Sequence, residues 1–436
     1  MPHPNNLLSL RMSLRPDFLR LATSFTEESA KAFGLDPAAA LKLTLACEEV
    51  FTYLCRTGRI DEMLTLEAND GGYYIGLKLL FNAYDFDPAA FNLTAALSLD
   101  DVGALDEMGL LIAARSVDRF HLAGNPRQGL ELTLIKEKTY PERTEAETFR
   151  TGPLRNARFR APDAEELKWF VRLVVAHYPK ELYLPAFRFP GKILDMIHGG
   201  KYQAAVLTGD QGEVGGGLVW RWVGNKVVEL FGPYLFQQPA EPQWAQGLLD
   251  DCLGRIAKTD AIGLIARYFT PELPLHYFES LGSVDYFPPG AAAQPWPIYY
   301  RYLREDLGCR VWAHPKIENF LRAEYARLAF AREIVLTRPE GEQRPARSVF
   351  AAHFNRDHHQ VTLRPIWDGR DAAENLDRHL KALRAEHLTN IFFEIDLARS
   401  WQADLTPALL QNRFRPRLIL PYGGKADVVV FQHEGI

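Results

Sequence analysis

The chain has 436 residues, 47% hydrophobic and 24% charged, with a formal net charge of −5. That length suggests two to four domains with ordinary globular cores, and an acidic balance argues against a general nucleic-acid or membrane-surface binder, since both need a basic face. No apolar run is long enough for a membrane span, and the first residues lack the charged-then-apolar pattern of a secretory signal. Cys47, Cys55, Cys252 and Cys309 form no C-x-x-C pair, so a reducing, cytoplasmic setting is expected.

Residues 5–14 alternate loosely and predict a strand. Arg15–Gly34 and Asp36–Gly58 carry apolar residues at three-to-four spacing and predict two helices, the second with Asp36 as N-cap and Pro37 at its first position. Strands are expected at Asp61–Glu67 and Tyr73–Phe81 around the Asp70-Gly71 turn, then a helix over Leu105–Phe120 and a strand over Leu130–Lys136. Tyr140–Gly152 is polar, charged and bounded by Pro and Gly, and reads as a linker.

A strand at Ala157–Arg160, helices at Asp163–Tyr178 and Phe189–Gly200 and a strand at Tyr202–Thr208 follow. Gly217–Val223 and Lys226–Phe231 flank Gly224-Asn225 and predict a hairpin whose strands are covered on both faces. A helix (Gln243–Ala257), a strand (Ile262–Tyr268), a short helix (Leu275–Gly282) and a Pro/Ala-rich connector (Pro288–Pro297) come next. After an amphipathic helix at Ile317–Ala331, the order repeats in truncated form. Its elements are strands Ser348–Phe354 and Gln360–Pro365, helix Ala372–His387, strand Asn390–Asp396, helix Pro407–Asn412 and strand Asp427–Gln432. The fold class is α/β (α+β) with mixed sheets, divided as 1–139, a linker 140–154, 155–300 and 301–436. His358, His359 and Asp357 are adjacent on a turn, where side chains diverge, so no metal site is expected. Trp220 and Trp222, with Tyr234 and Phe236 downstream, either line a ligand groove or form sheet core.

Three stretches of the first 138 residues are similar to the ATP-binding fold of the GHKL family, in its anti-sigma-factor kinase and histidine-kinase branch. They are Leu45–Leu54 (LACEEVFTYL), Phe81–Pro88 (FNAYDFDP) and Glu107–Asp118 (EMGLLIAARSVD), closed by Gly129–Lys136. The resemblance places Glu49 at the position of the base, Asn82 at the adenine loop and Gly109 under the phosphates. It also implies departures. Tyr53 replaces the magnesium-binding Asn, a poor ligand for a hard cation. Phe81 stands where an Asp reads adenine, and one glycine remains of the phosphate cluster. ATP and magnesium are therefore not expected, and docking of a protein partner, such as a sigma-factor regulator, is.

The strand–loop–helix–strand–helix order from Arg155 to Phe287, with Glu229 late in the central strand and His276–Gly282 (HYFESLG) at its end, resembles the GNAT acyltransferases. That resemblance implies acetyl-CoA or another acyl-CoA as cofactor. Its pantetheine arm would pair with the strand around Gly232, Tyr234 and Phe236, and its pyrophosphate would meet a loop ending near Ala245. Glu229 becomes the candidate base. The thiolate-protonating tyrosine aligns with Phe278, leaving Tyr277 and His276 as candidate proton donors. The Gln237–Ala245 loop (QQPAEPQWA) lacks the family's glycines, and Glu241 adds charge of the wrong sign. Leu410–Pro416 (LQNRFRP) is similar to a second GNAT ending, without a phosphate loop. Two functions fit: an acyl-CoA-dependent transferase docked or controlled through the first domain, or a non-catalytic signalling protein that binds protein partners and senses a small ligand.

Overall fold

The computed structural model describes residues 7–58, 62–82, 86–95, 104–125, 129–142, 154–236, 242–338 and 344–435. The chain forms two compact units: Met1–Tyr140 with Arg344–Ala351 and Pro365–His379, and Pro141–Gln343 with Ala352–Arg364 and Leu380–Ile436.

In the first unit, β1 (Leu7–Ser13), α1 (Leu19–Ala32), α2 (Pro37–Thr57), β2 (Met63–Asp70), β3 (Tyr74–Phe81), α3 (Ala104–Ser116), β4 (Arg119–Asn125) and β5 (Gly129–Glu137) follow in sequence. The strands form one antiparallel sheet in the order β1-β2-β3-β5-β4. Asp36 caps α2 by accepting the Ala39 N–H at 2.9 Å, satisfying a donor that the helix itself leaves open. Leu43, Cys47, Val50, Phe51 and Leu54 then repeat at three-to-four spacing and share one core with Leu66, Leu77 and Leu132 of the sheet. The helix expected over Leu105–Phe120 stops at Ser116, and β4 begins three residues later. Asp118 breaks it by joining the sheet: its N–H donates to Ile135 O at 2.9 Å, and its carboxylate accepts the Glu137 N–H at 2.7 Å.

The second unit opens with β6 (Arg158–Arg160), α4 (Ala164–His177), α5 (Pro190–His198), β7 (Gln203–Thr208), β8 (Val214–Val223), β9 (Val227–Leu235), α6 (Pro242–Ile256), β10 (Gly263–Tyr268), β11 (Glu279–Tyr286) and β12 (Gln294–Tyr302). These strands make a seven-stranded sheet ordered β11-β12-β10-β9-β8-β7-β6, in which only β9 and β10 run parallel, joined by the crossover helix α6. The hairpin β8–β9 turns at Gly224, whose φ of +61° is the left-handed conformation that this residue adopts without strain.

Two expectations fail here. Leu275–Gly282 is a single 3₁₀ turn, Leu275–Tyr277, running into β11; Val284 and Tyr286 are buried on either side of the half-buried Asp285, a strand period rather than a helical one. The Pro-rich connector is half strand: Pro295 and Pro297 pair only with β11, in the stretch of β12 that precedes its contact with β10, where the missing N–H groups cost nothing.

Beyond them lie β13 (Cys309–Ala313), α7 (Glu318–Arg327), β14 (Arg332–Leu336), β15 (Val349–Asn355), β16 (Gln360–Trp367), α8 (Ala372–Ala385), β17 (Asn390–Asp396), α9 (Ser400–Ala403), α10 (Thr406–Gln411), β18 (Phe414–Leu420) and β19 (Val428–His433). The sheet β15-β16-β17-β19-β18 repeats the order β8-β9-β10-β12-β11, again with one parallel pair, β16–β17, bridged by a helix. The repeat expected from the sequence is thus present in the topology. The helix expected over Ile317–Ala331 is shorter, and the parallel strands β13 and β14 flank it.

Arg332 opens β14 with its side chain fully enclosed. Its Nε lies 2.7 Å from Asp427 Oδ2 and its Nη1 2.7 Å from Asp306 Oδ2, and its guanidinium carbon sits 4.8 Å from the centre of the Tyr422 ring. Removing the cation leaves two buried carboxylates unpaired. Arg332→Met is expected to destabilise the second unit by about 3–5 kcal/mol in denaturant melts.

Candidate functional site

Glu229 sits in β9 opposite Arg221 of β8 and beside Ile265 of β10. It is 1% exposed, and each of its oxygens faces a guanidinium. Oε2 accepts from Arg221 Nε and Nη2 at 2.8 and 2.6 Å, and Oε1 lies 3.0 Å from Arg267 Nε. Arg267 reaches on to Glu394 Oε1 at 3.4 Å, and Glu394 Oε2 accepts from Arg364 Nε and Nη2 at 2.8 and 2.5 Å. The result is a ladder of alternating sign, Arg221–Glu229–Arg267–Glu394–Arg364. Burial pushes the Glu229 carboxyl up, but Arg221 and Arg267 outweigh it and hold it below its ordinary range. A general base needs a free lone pair facing its substrate and a pKa near the working pH. Glu229 is enclosed, ion-paired on both sides and held below its ordinary range, which is the geometry of a structural anion rather than of the expected base.

The strand edge expected to pair with pantetheine is likewise occupied. The β9–β10 pairing ends at Phe231 and Tyr268, and β9 runs on alone on that side to Leu235. There the Tyr178 hydroxyl accepts the Leu235 N–H at 2.8 Å, with its own proton between Leu235 O and Glu272 Oε1 at 3.1 and 3.0 Å. Pro233 has no N–H to offer, and its carbonyl accepts from the Thr270 hydroxyl. Tyr234 and Phe236 are core rather than groove: both are fully buried, against Phe170, and Tyr234 donates to Leu182 O at 2.8 Å. Gly232 takes a φ of +95° ahead of them, where the β8–β9 register shifts between Phe231 and Tyr234. Ala245 is buried in α6, whereas residues 237–241 of the expected pyrophosphate loop, Glu241 included, lie outside the described residues. His276 and Tyr277 are exposed at the surface, their ring centres 4.0 Å apart and tilted by 42°, with Arg301 over the Tyr277 ring, while Glu229 is enclosed. The three catalytic candidates therefore do not converge.

In the first unit the structure does bring two predicted residues together: a Cβ on Gly109 would lie 2.8 Å from Glu49 Oε2. Aromatic rings surround that corner. Tyr53 accepts the Asp87 N–H at 3.1 Å and meets Phe86 edge-on, and Phe86 packs against Phe81 and Phe91. All four rings are buried. Asn82 is exposed at the end of β3, and residues 83–85 of the expected adenine loop lie outside the described residues.

The arrangement that sequence reasoning missed is a cavity of about 70 Å³ in the second unit, lined by Arg267, Tyr268, Tyr286, Trp296, His358 and Glu394 among others. The short 3₁₀ turn after β15, closed by His359 at a φ of +46°, places His358 inside. Asn390 Nδ2 holds the His358 carbonyl at 2.9 Å. Its ring lies 5.5, 5.9 and 6.1 Å from those of Tyr268, Tyr286 and Trp296. Burial pushes the imidazole pKa down, so the ring is neutral at physiological pH. The Lys180 backbone engages one ring nitrogen, and Nε2 has no partner. A neutral imidazole nitrogen with a free lone pair, boxed by three aromatic rings beside the Arg267–Glu394 pair, can accept a hydrogen bond from an enclosed ligand. No periodicity or spacing signalled it; adjacent histidines on a turn have no sequence signature of burial. Among the described residues, no group of three or more His, Cys, Asp or Glu is placed to hold a metal ion, and no helix is long and apolar enough to cross a membrane.

No protein-family model and no curated protein matches the chain. Among solved structures it is similar to a GNAT-superfamily phosphinothricin acetyltransferase from Sinorhizobium meliloti in complex with AcCoA, at 20% identity over 35% of this chain and 91% of that one, with a TM-score of 0.30. An aminoglycoside 6'-acetyltransferase type Ii is similar at 13% identity over 34% and 99%, TM-score 0.28. A GNAT-family acetyltransferase from Staphylococcus aureus Mu50 is similar at 14% over 34% and 99%, TM-score 0.25.

The ladder gives the protein an acid limit. Burial raises the Glu394 carboxyl, but Arg364 and Arg267 more than offset this and carry it from the ordinary 4.5 down to about 2. A depressed carboxylate contributes stability that is present above its unfolded pKa and lost as pH falls through the folded one. Melting temperature is therefore expected to fall between pH 4.5 and about 2, and Glu394→Gln is expected to flatten that part of the pH profile.

Proposed function

We propose that this chain is a non-catalytic regulatory protein: its second unit is a GNAT-like module that senses a small ligand, and its first is a degenerate GHKL-like module that docks a protein partner. One observation carries the reading. The β9 edge that would pair with an acyl-CoA arm has its backbone groups at Pro233 and Leu235 taken by Thr270 and Tyr178, and the carboxylate beside it is locked by two arginines. The aromatic filling around Tyr53 supports the same conclusion for phosphate chemistry in the first unit. A second reading, acyl transfer, is favoured by the end of the β9–β10 pairing at Phe231 and Tyr268, beyond which β9 continues to Leu235 without a strand partner on that side.

Melting the purified protein with acetyl-CoA, with ATP plus magnesium, and alone separates the two. A ligand at about one hundred times its Kd stabilises by about 2.7 kcal/mol. The regulatory reading expects no shift with either cofactor and no acetyl transfer to a panel of primary amines; a shift with acetyl-CoA together with transfer that Glu229→Gln abolishes would establish the transferase. Protein docking is checked by affinity capture on the immobilised full-length chain, competed by the free full-length chain in excess.

The cavity makes a separate demand. A buried nitrogen without a partner costs about 1–3 kcal/mol, and an apolar ring of similar size removes that cost. His358→Phe is expected to leave the melting temperature unchanged or raise it, while abolishing any ligand-induced shift found in a screen of small amides. A marked fall in melting temperature would show instead that His358 is a structural hydrogen-bonding group.

A further inference from the structure

A second cavity, of about 300 Å³, lies within the first unit. Its apolar wall is Ala89, Ala90, Ala95 and Leu111, and its polar wall is Asn92, Arg347, Asp371, Asn375 and Arg378, with Thr94 at the side. Asn92 and Asn375 form a built polar floor. Asn92 Nδ2 donates to Ser348 O at 2.8 Å, and its Oδ1 accepts from Phe350 N at 3.1 Å and from Asn375 Nδ2 at 3.1 Å. Asn375 Nδ2 also donates to Ser348 O and Oγ at 2.9 and 3.0 Å, which fixes the amide and its orientation. Its Oδ1 is left over. Asn375 is completely buried, and that oxygen has no hydrogen-bond partner.

The charges around it are arranged as unequally. Asp371 Oδ1 accepts from Ser348 N and Oγ at 2.6 and 2.8 Å, so the carboxylate is fixed to the floor. Its Oδ2 faces two guanidiniums, Arg378 at 3.2 Å and Arg347 at 3.9 Å. Two cations against one anion leave a surplus positive charge, and both arginines are half-exposed, free to reorient toward a second anion. A buried acceptor lacking a donor, a surplus guanidinium and a short apolar wall, in a volume at the small end of ligand pockets, complement one chemical class. That class has an anionic group and a nitrogen donor on one small skeleton.

We infer that this cavity binds a free amino acid, its carboxylate on Arg347 and Arg378, its ammonium on Asn375 Oδ1, and its side chain against Ala90, Ala95 and Leu111. Isothermal titration of the full-length protein with L-alanine, L-valine, L-leucine, L-methionine and L-glutamine tests it. At least one is expected to bind with a Kd below about 1 mM. Its affinity is expected to fall at least about tenfold when the ligand's carboxylate is amidated, when its amine is acetylated, and in the Arg347→Gln/Arg378→Gln protein. The arginine variants alter half-exposed side chains, and an unchanged melting temperature without ligand verifies that they are folded. The inference is overturned if no saturable heat appears up to about 10 mM of any of the five, or if binding is indifferent to the arginine substitutions or to capping of either end.

Discussion

The second unit depends on a row of five charges sunk where charge is expensive. Arg221, Glu229, Arg267, Glu394 and Arg364 alternate in sign across strands of two sheets, and each carboxylate is shared between two guanidiniums. Carrying such groups out of water costs several kcal/mol apiece, repaid only when every member is in place. The chain is thereby committed to one registry of β8, β9, β10, β16 and β17, because a slip of one residue would turn a charge toward an apolar neighbour. The same commitment removes Glu229 from proton chemistry. A carboxylate gripped by two arginines stabilises the sheet in proportion to how poorly it serves as a base.

Closure of the neighbouring strand edge follows a related logic. An edge with free N–H and C=O groups invites pairing from any extended chain. Tyr178 and Thr270 satisfy that edge with side-chain hydroxyls, and the Pro233 ring removes one donor. A sheet that diverges without admitting a partner has the outline of a cofactor cleft and none of its unsatisfied valence.

Much of the fold was legible because its signals are local. Asp36-Pro37, the continuous apolar runs around Gly224-Asn225 and the helix over Ala164–His177 each follow from a few adjacent residues. Strands β11, β12, β13, β14 and β18 escaped because prolines and charges interrupt their alternation, and their pairing partners lie elsewhere in the chain. Glu229 was singled out for its place in a strand, yet its chemistry is decided by Arg267, Glu394 and Arg364. One part of the ladder was within reach: a turn centred on Asn225 places Arg221 directly across from Glu229. His358 was beyond reach, since its burial depends on Tyr286, Trp296 and Tyr268 arriving from other strands.

The first unit is also discontinuous along the chain, and this bears on the order in which it can be made. Asn92 finds its partners in Ser348, Phe350 and Asn375, more than 250 positions later. On the ribosome, residues 1–140 emerge long before those partners exist, so the α1–α2 layer and its sheet must wait without that polar floor while residues 141–343 of the second unit are synthesised. Domains ordinarily fold as they emerge; this one begins first and is complete only after most of the second unit has been made. A nascent chain of this design is a natural client for a holding chaperone, and any stop codon before Asn375 would strand a nearly complete sheet with its floor missing.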